Sequence, residues 1–125
     1  MAWIYEVNLE IEKDTADAFL HWLTSKHIAE MCESPGFIKG TVYRVEDTSE
    51  THVRMTCAYE VESREALQRY LDVRAAVMRQ EGLDLFGGKF TATRRMLEVV
   101  GCHVKTSYCT MQCTVYSVVL SFPCW

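Results

Sequence analysis

An α+β fold is predicted by three features of the sequence. Residues 2 to 11 alternate apolar and polar side chains, two longer stretches carry helical spacing, and two β-branched and aromatic runs lie between those stretches. With 49% hydrophobic and 24% charged residues over 125 positions, the composition is that of one globular domain with a sizeable core.

The elements follow in order. In "AWIYEVNLEI", Trp3, Tyr5, Val7, Leu9 and Ile11 share one face while Ile4, Glu6, Asn8 and Glu10 share the other, the period of a half-buried strand. "KDTADAFLHWLTSKHIAEMCESPG" then changes period. Asp14 or Thr15 is its N-cap candidate, and Ser34-Pro35-Gly36 its stop. "GFIKGTVYRVE" and "HVRMTCAYEVE" read as a hairpin joined through "DTSET". Ser63 with Glu65 in the first turn opens a second helix, "SREALQRYLDVRAAVMRQE", which Gly82 is expected to end. After the connector "LDLFGG", "KFTATRRMLEVV" reads as a last strand. The order β-α-β-β-α-β is that of a ferredoxin-like unit, an antiparallel four-stranded sheet with two helices on one face. The helices also align with each other: "LHWLTSKHIAEM" lies over "LQRYLDVRAAVM", setting His27 opposite Arg74.

Residues 1–100 form the expected domain. Residues 101–125 differ in character, since Lys105 is their only Asp, Glu, Lys or Arg. This Cys-rich apolar tail reads either as an appended terminus or as an extra hairpin over a sheet edge. Cys102, His103, Cys109 and Cys113 lack the paired C-x₂-C spacing of a zinc site, so no metal is expected. Cys32 and Cys57 read as reduced core thiols.

Composition also bears on function. A net charge of -4, with arginines interleaved among acids, argues against nucleic-acid binding. The start of the chain does not read as a secretory signal and no run reaches membrane-spanning length, so a soluble cytoplasmic protein without a membrane partner is expected. "FGGK" has the wrong spacing for a phosphate-cradling loop, and no motif calls for a cofactor.

Ala16, Phe19, Leu20, Leu23, His27 and Met31 fall on one helical stripe facing the sheet. On the second helix Ala66, Tyr70, Val77 and Met78 define the apolar side, with Arg74 projecting from it. Two readings stay open. Either His27 is a satisfied core imidazole and Arg74 snorkels to the helix edge, or both face a pocket that takes an anionic or enolic ligand. In the second reading His27 is the catalytic acid/base and Arg74 holds the anion, while Tyr5 and Tyr59 orient the ligand with their phenols.

"IYEVNLEI", "HIAEM", "PGF", "SREALQRYL" and "LDLFGGKFTATRRMLEVV", spread over residues 2 to about 100, resemble an uncharacterised family of the dimeric α+β barrel superfamily, which includes antibiotic-biosynthesis-type monooxygenases. The resemblance implies a homodimer formed sheet to sheet, with Ile4, Glu6 and Asn8 at the interface and Arg44 or Arg54 as the partner of Glu6. It also implies a small organic ligand, with cofactor-independent oxygenase or isomerase chemistry; a non-enzymatic binding module is the alternative. The family pattern has "HIPE" where this chain has "HIAE", so Ala29 is expected to leave the first helix uninterrupted. It also has a histidine at Arg74, which leaves a two-histidine site in doubt.

Overall fold

The computed structural model describes residues 2–47 and 49–105. Strand β1 (Trp3–Glu12) is followed by helix α1 (Ala16–Trp22), a π-helical turn (Leu23–His27) and helix α2 (Ile28–Cys32). The hairpin is β2 (Phe37–Arg44) and β3 (His52–Val61); α3 (Arg64–Val73), α4 (Ala75–Phe86), a 3₁₀ turn (Gly87–Lys89) and β4 (Phe90–Glu98) complete the unit. The sheet order is β2-β3-β1-β4 with every neighbour antiparallel, the ferredoxin-like arrangement expected. Residues 101–105 have no regular structure, and the rest of the expected tail segment lies outside the described residues.

Strand alternation decides which face is covered. Tyr5, Leu9 and Ile11 of β1 and Met55, Cys57, Tyr59 and Val61 of β3 are buried under the helices. From the first helical segment Ala16, Phe19, Leu23 and Met31 close the core, and from the second Ala66, Leu67, Tyr70, Ala75 and Met78.

The opposite sheet face is polar and ordered. Glu6 accepts from Arg95 Nε (2.7 Å) and from Asn8 Nδ2 (2.9 Å), while Asn8 Oδ1 accepts from Thr56 Oγ1 (2.9 Å). The partner of Glu6 is therefore Arg95 rather than Arg44 or Arg54. Register explains it, because β4 sets Arg95 directly opposite Glu6, and Arg54 opposite Glu10 binds Glu10 and Asp47 instead. The guanidinium of Arg95 holds the Glu6 carboxyl below the usual range, with Asn8 adding to the effect.

Three local expectations are corrected. The first helix is interrupted: the Ile28 N–H reaches back to the Leu23 carbonyl, five residues away, so the turn widens. Thr24 and Ser25 hydroxyls donate to the Leu20 and His21 carbonyls (2.9 and 2.5 Å), satisfying acceptors near the widened turn. Replacing proline by Ala29 thus does not restore a regular helix.

The second helix is also broken, at Arg74 (φ -116°, ψ -26°), and its buried stripe rotates there. Val77 consequently faces solvent at 72% exposure, while Ala75 and Gly82 turn inward. Nor does Gly82 end the helix, which runs on to Phe86. Gly87, at φ +55°, ends it instead.

The expected cap at Ser63 is present, its hydroxyl accepting from the Ala66 N–H (3.1 Å). At Thr15 no side-chain cap bond forms.

Gly36 locks the turn between α2 and β2 against the start of α3. Its φ is +85°, its carbonyl accepts from the Glu62 N–H (2.8 Å), and a Cβ there would lie 2.5 Å from the Cβ of Ala66. Gly36→Ala is expected to cost about 2–4 kcal/mol in urea unfolding, from the left-handed backbone and the steric overlap together. Gly88→Ala meets nothing within 4 Å and serves as the control; equal stability of the two variants would contradict this account.

Candidate functional site

Between the helices and the sheet lies a cavity of about 50 Å³, lined mainly by aromatic and apolar side chains. Phe19 and Trp22 reach it from α1, and Phe90 from the start of β4; the rings of Phe19 and Phe90 lie 4.9 Å apart. Tyr5 and Tyr59 contribute from adjacent strands and Tyr70 from α3, the ring of Tyr5 lying 6.2 Å from Tyr59 and 5.5 Å from Tyr70. A volume of this size admits a few water-sized groups, well below the several hundred Å³ of an ordinary ligand pocket.

His27 lines this cavity. The π turn sets its ring nearly parallel to Trp22, centroids 4.4 Å apart at 27°. Its Nδ1 is buried with no hydrogen-bond partner among the described residues. Burial lowers the imidazole pKa from 6.5, and the nearby carboxylates of Glu81 and Glu30 oppose that shift without reversing it. Those two acids are already engaged, since Lys26 bridges them and Glu81 also accepts from Trp22 Nε1 at 3.5 Å.

Other ionisable groups at this seam are likewise held uncharged. Burial raises the Tyr59 phenol far above its ordinary value, pushes the Cys57 thiol up to about 11, and raises Tyr70 to about 12. The positive charges of Arg79, Arg94 and Arg74 temper the rise at Tyr70.

The structure brings three of the four expected site residues together. His27, Tyr5 and Tyr59 share the cavity wall, whereas Arg74 is absent from it. Arg74 donates to Ser34 Oγ (2.7 Å) and to the Glu30 carbonyl (3.2 Å), tying the break between α3 and α4 to the end of α2. The cations at the cavity are Arg79, which donates to the Tyr5 hydroxyl (3.1 Å), and Arg94.

Sequence reasoning missed both. Arg94 was detectable from strand alternation, in step with Phe90 and Ala92 and opposite Val7 on the covered face. Arg79 was hidden by the helix break, which no periodicity argument anticipates. Among the described residues no group of three His, Cys, Asp or Glu is placed to hold a metal.

The lowered His27 pKa fixes the sign of a pH effect. The unfolded chain takes up a proton near pH 6.5 and the folded chain only at lower pH, so the unfolding free energy should fall as pH drops from about 7 to 5.5. The slope from this one group is no more than about 1.4 kcal/mol per pH unit. His27→Gln should flatten that part of the profile in urea titrations; an unchanged slope would show that His27 is not desolvated.

A family model described as "Domain of unknown function (DUF4286)" matches residues 2–100. No curated protein matches the chain. Among solved structures, a dimeric ferredoxin-like protein from an uncultured marine organism is 18% identical, with a TM-score of 0.63 over 82% of this chain and 99% of that one. SnoaB, a cofactor-independent oxygenase from Streptomyces nogalater, is 16% identical, with a TM-score of 0.58 over 79% of this chain and 94% of that one. A candidate antibiotic biosynthesis monooxygenase from Nitrosomonas europaea is 11% identical, with a TM-score of 0.61 over 79% and 90% respectively. At such identities the likeness is one of fold. The match over residues 2–100 makes the chain a member of the DUF4286 family, and its fold is the ferredoxin-like α+β unit shared with these structures.

Proposed function

We propose that this protein is a cytoplasmic homodimer whose protomers each bind a small organic ligand between helices and sheet, with residues 101–125 appended to that unit. The chemistry is cofactor-independent, either isomerisation or oxygenation, and His27 moves the proton. One observation carries the reading: an imidazole whose buried Nδ1 has no hydrogen-bond partner among the described residues is stacked on Trp22 in the wall of an aromatic cavity. Buried polar atoms are ordinarily bonded, so one left open beside a cavity is suited to bonding a ligand.

With its proton on Nε2, a neutral imidazole presents an Nδ1 lone pair, and desolvation keeps it neutral at pH 7. Removal of a proton from carbon beside a carbonyl leaves an enolate and an imidazolium. Return of that proton to the far carbon of a C=C conjugated with the enolate completes an isomerisation; alternatively the enolate carbon bonds to dioxygen, the resulting peroxide takes the proton from the imidazolium, and cleavage of its O–O bond with loss of water leaves a new carbonyl. Tyr5 and Tyr59 orient the carbonyl.

The cavity must widen for more than a few heavy atoms, and the π turn beside His27 is the element that yields. Pairing of the open sheet faces is supported by the fold shared with a protein described as dimeric, and a shallow depression of about 380 Å³ between Asn8, Arg54, Thr56 and Thr93 lies on the face to be covered. Among the described residues no helix is long and apolar enough to cross a membrane.

Deuterium exchange tests the chemistry. Hydroxyacetone and pyruvate are incubated with the protein in D₂O, exchange of their α-protons is followed by NMR, and thermal shift with catechol added reports binding. The wild type is expected to accelerate exchange, and His27→Gln to lose about 10²-fold or more of that acceleration. Binding that depends on His27 without exchange would support a non-enzymatic binding module. No binding of any of the three compounds would overturn the ligand site.

A further inference from the structure

We propose that the ligand of this cavity is a short-chain carboxylic acid, its carboxylate held at the cavity's rim by Arg79 of α4 and Arg94 of β4 and its carbon body reaching toward His27. The inference rests on the proposed ligand site and adds the chemical class of its occupant.

Three observations support it. First, the two guanidiniums lie in the cavity wall yet are solvent-exposed, so they mark where the cavity meets water. Second, neither pairs with a carboxylate among the described residues. Arg44, Arg64, Arg69 and Arg74 share that lack, whereas Arg95, the neighbour of Arg94, is bound to Glu6; what sets Arg79 and Arg94 apart is that they also stand in the cavity wall. Arg79 gives one N–H to the Tyr5 hydroxyl, which steers the side chain. Third, the interior volume of about 50 Å³ suits a body of a few heavy atoms, while a charged head remains at the rim, where its desolvation is slight.

A carboxylate fits the planar, forked donors of arginine, which form paired hydrogen bonds with its two oxygens. The same cations stabilise negative charge that develops on an adjacent carbonyl when a proton leaves the neighbouring carbon. Glu81 is the acid nearest His27 on α4, and its bridge to Lys26 and its contact with Trp22 offset its repulsion of an entering anion.

The test compares pyruvate with pyruvamide, which has the same shape without the charge, at constant ionic strength. Binding is read from the shift of the His27 ring proton resonance, assigned by its loss in His27→Gln. Pyruvate is expected to bind at least tenfold more tightly than pyruvamide. Arg79→Met and Arg94→Met should each erase most of that difference, while Arg74→Met should leave it intact. Equal affinities for the two probes, no binding of pyruvate, or a preference that survives both rim substitutions would overturn the inference.

The two proposals fail separately. If hydroxyacetone or catechol binds with dependence on His27 while pyruvate gains nothing from its charge, the ligand site stands and the acid specificity falls. If pyruvate binds through Arg79 and Arg94 but thermal shift, which does not need the His27 resonance, finds that binding unchanged in His27→Gln, the rim stands and the proton-transfer role falls.

Discussion

Desolvation at the seam between helices and sheet governs what each group there can do. Tyr59, Tyr70 and Cys57 are all pushed toward their neutral forms by burial, and His27 is pushed the same way from the opposite charge. Such a seam excludes fixed charge, so the cations that serve it sit at its edge and the acids nearby are tied to Lys26. An imidazole held toward its neutral form inside, and guanidiniums at the edge without a carboxylate partner among the described residues, are two consequences of one dielectric boundary.

Helix irregularity gives that boundary its shape. The π turn and the break at Arg74 occur at aligned positions of the two halves, His27 closing one and Arg74 forming the other. A regular second helix would have kept Val77 in the core and left Gly82 elsewhere. Instead Gly82 meets the Trp22 ring, a Cβ at that position falling 3.4 Å from Cη2, and Trp22 is thereby held against His27. Arg74 secures the arrangement by bridging to Ser34 and the Glu30 carbonyl, so the residue opposite the histidine acts in packing and not in the cavity.

Much of this was legible in the residues. Alternation in "AWIYEVNLEI" placed Tyr5 under the helices, the SPG stop marked the end of the first helical segment, and Ser63 announced the second. Periodicity held across the π turn, with His27 and Met31 facing inward as expected, and failed at Arg74, where the break turns the buried stripe to another side. That is why Val77 was placed inside and Arg79 was overlooked. Glu6 was assigned the wrong arginine for a different reason: strand order, which no local pattern encodes, brings β4 beside β1 and Arg95 opposite Glu6. The resemblance to an uncharacterised family over residues 2 to about 100 agrees with the DUF4286 match to residues 2–100 but, being carried by fold-forming strings, supplied no reaction.

The account turns on the charge state of one ring. Titration of the His27 imidazole by ¹H–¹⁵N NMR across pH 4 to 8 reads it directly, giving both the pKa and the nitrogen that carries the proton. The account predicts a pKa below the ordinary 6.5, so a ring more than half neutral at pH 6.5, with the proton of the neutral form on Nε2 and an unprotonated Nδ1. A ring cationic at pH 6.5, or one with its proton fixed on Nδ1, would contradict it.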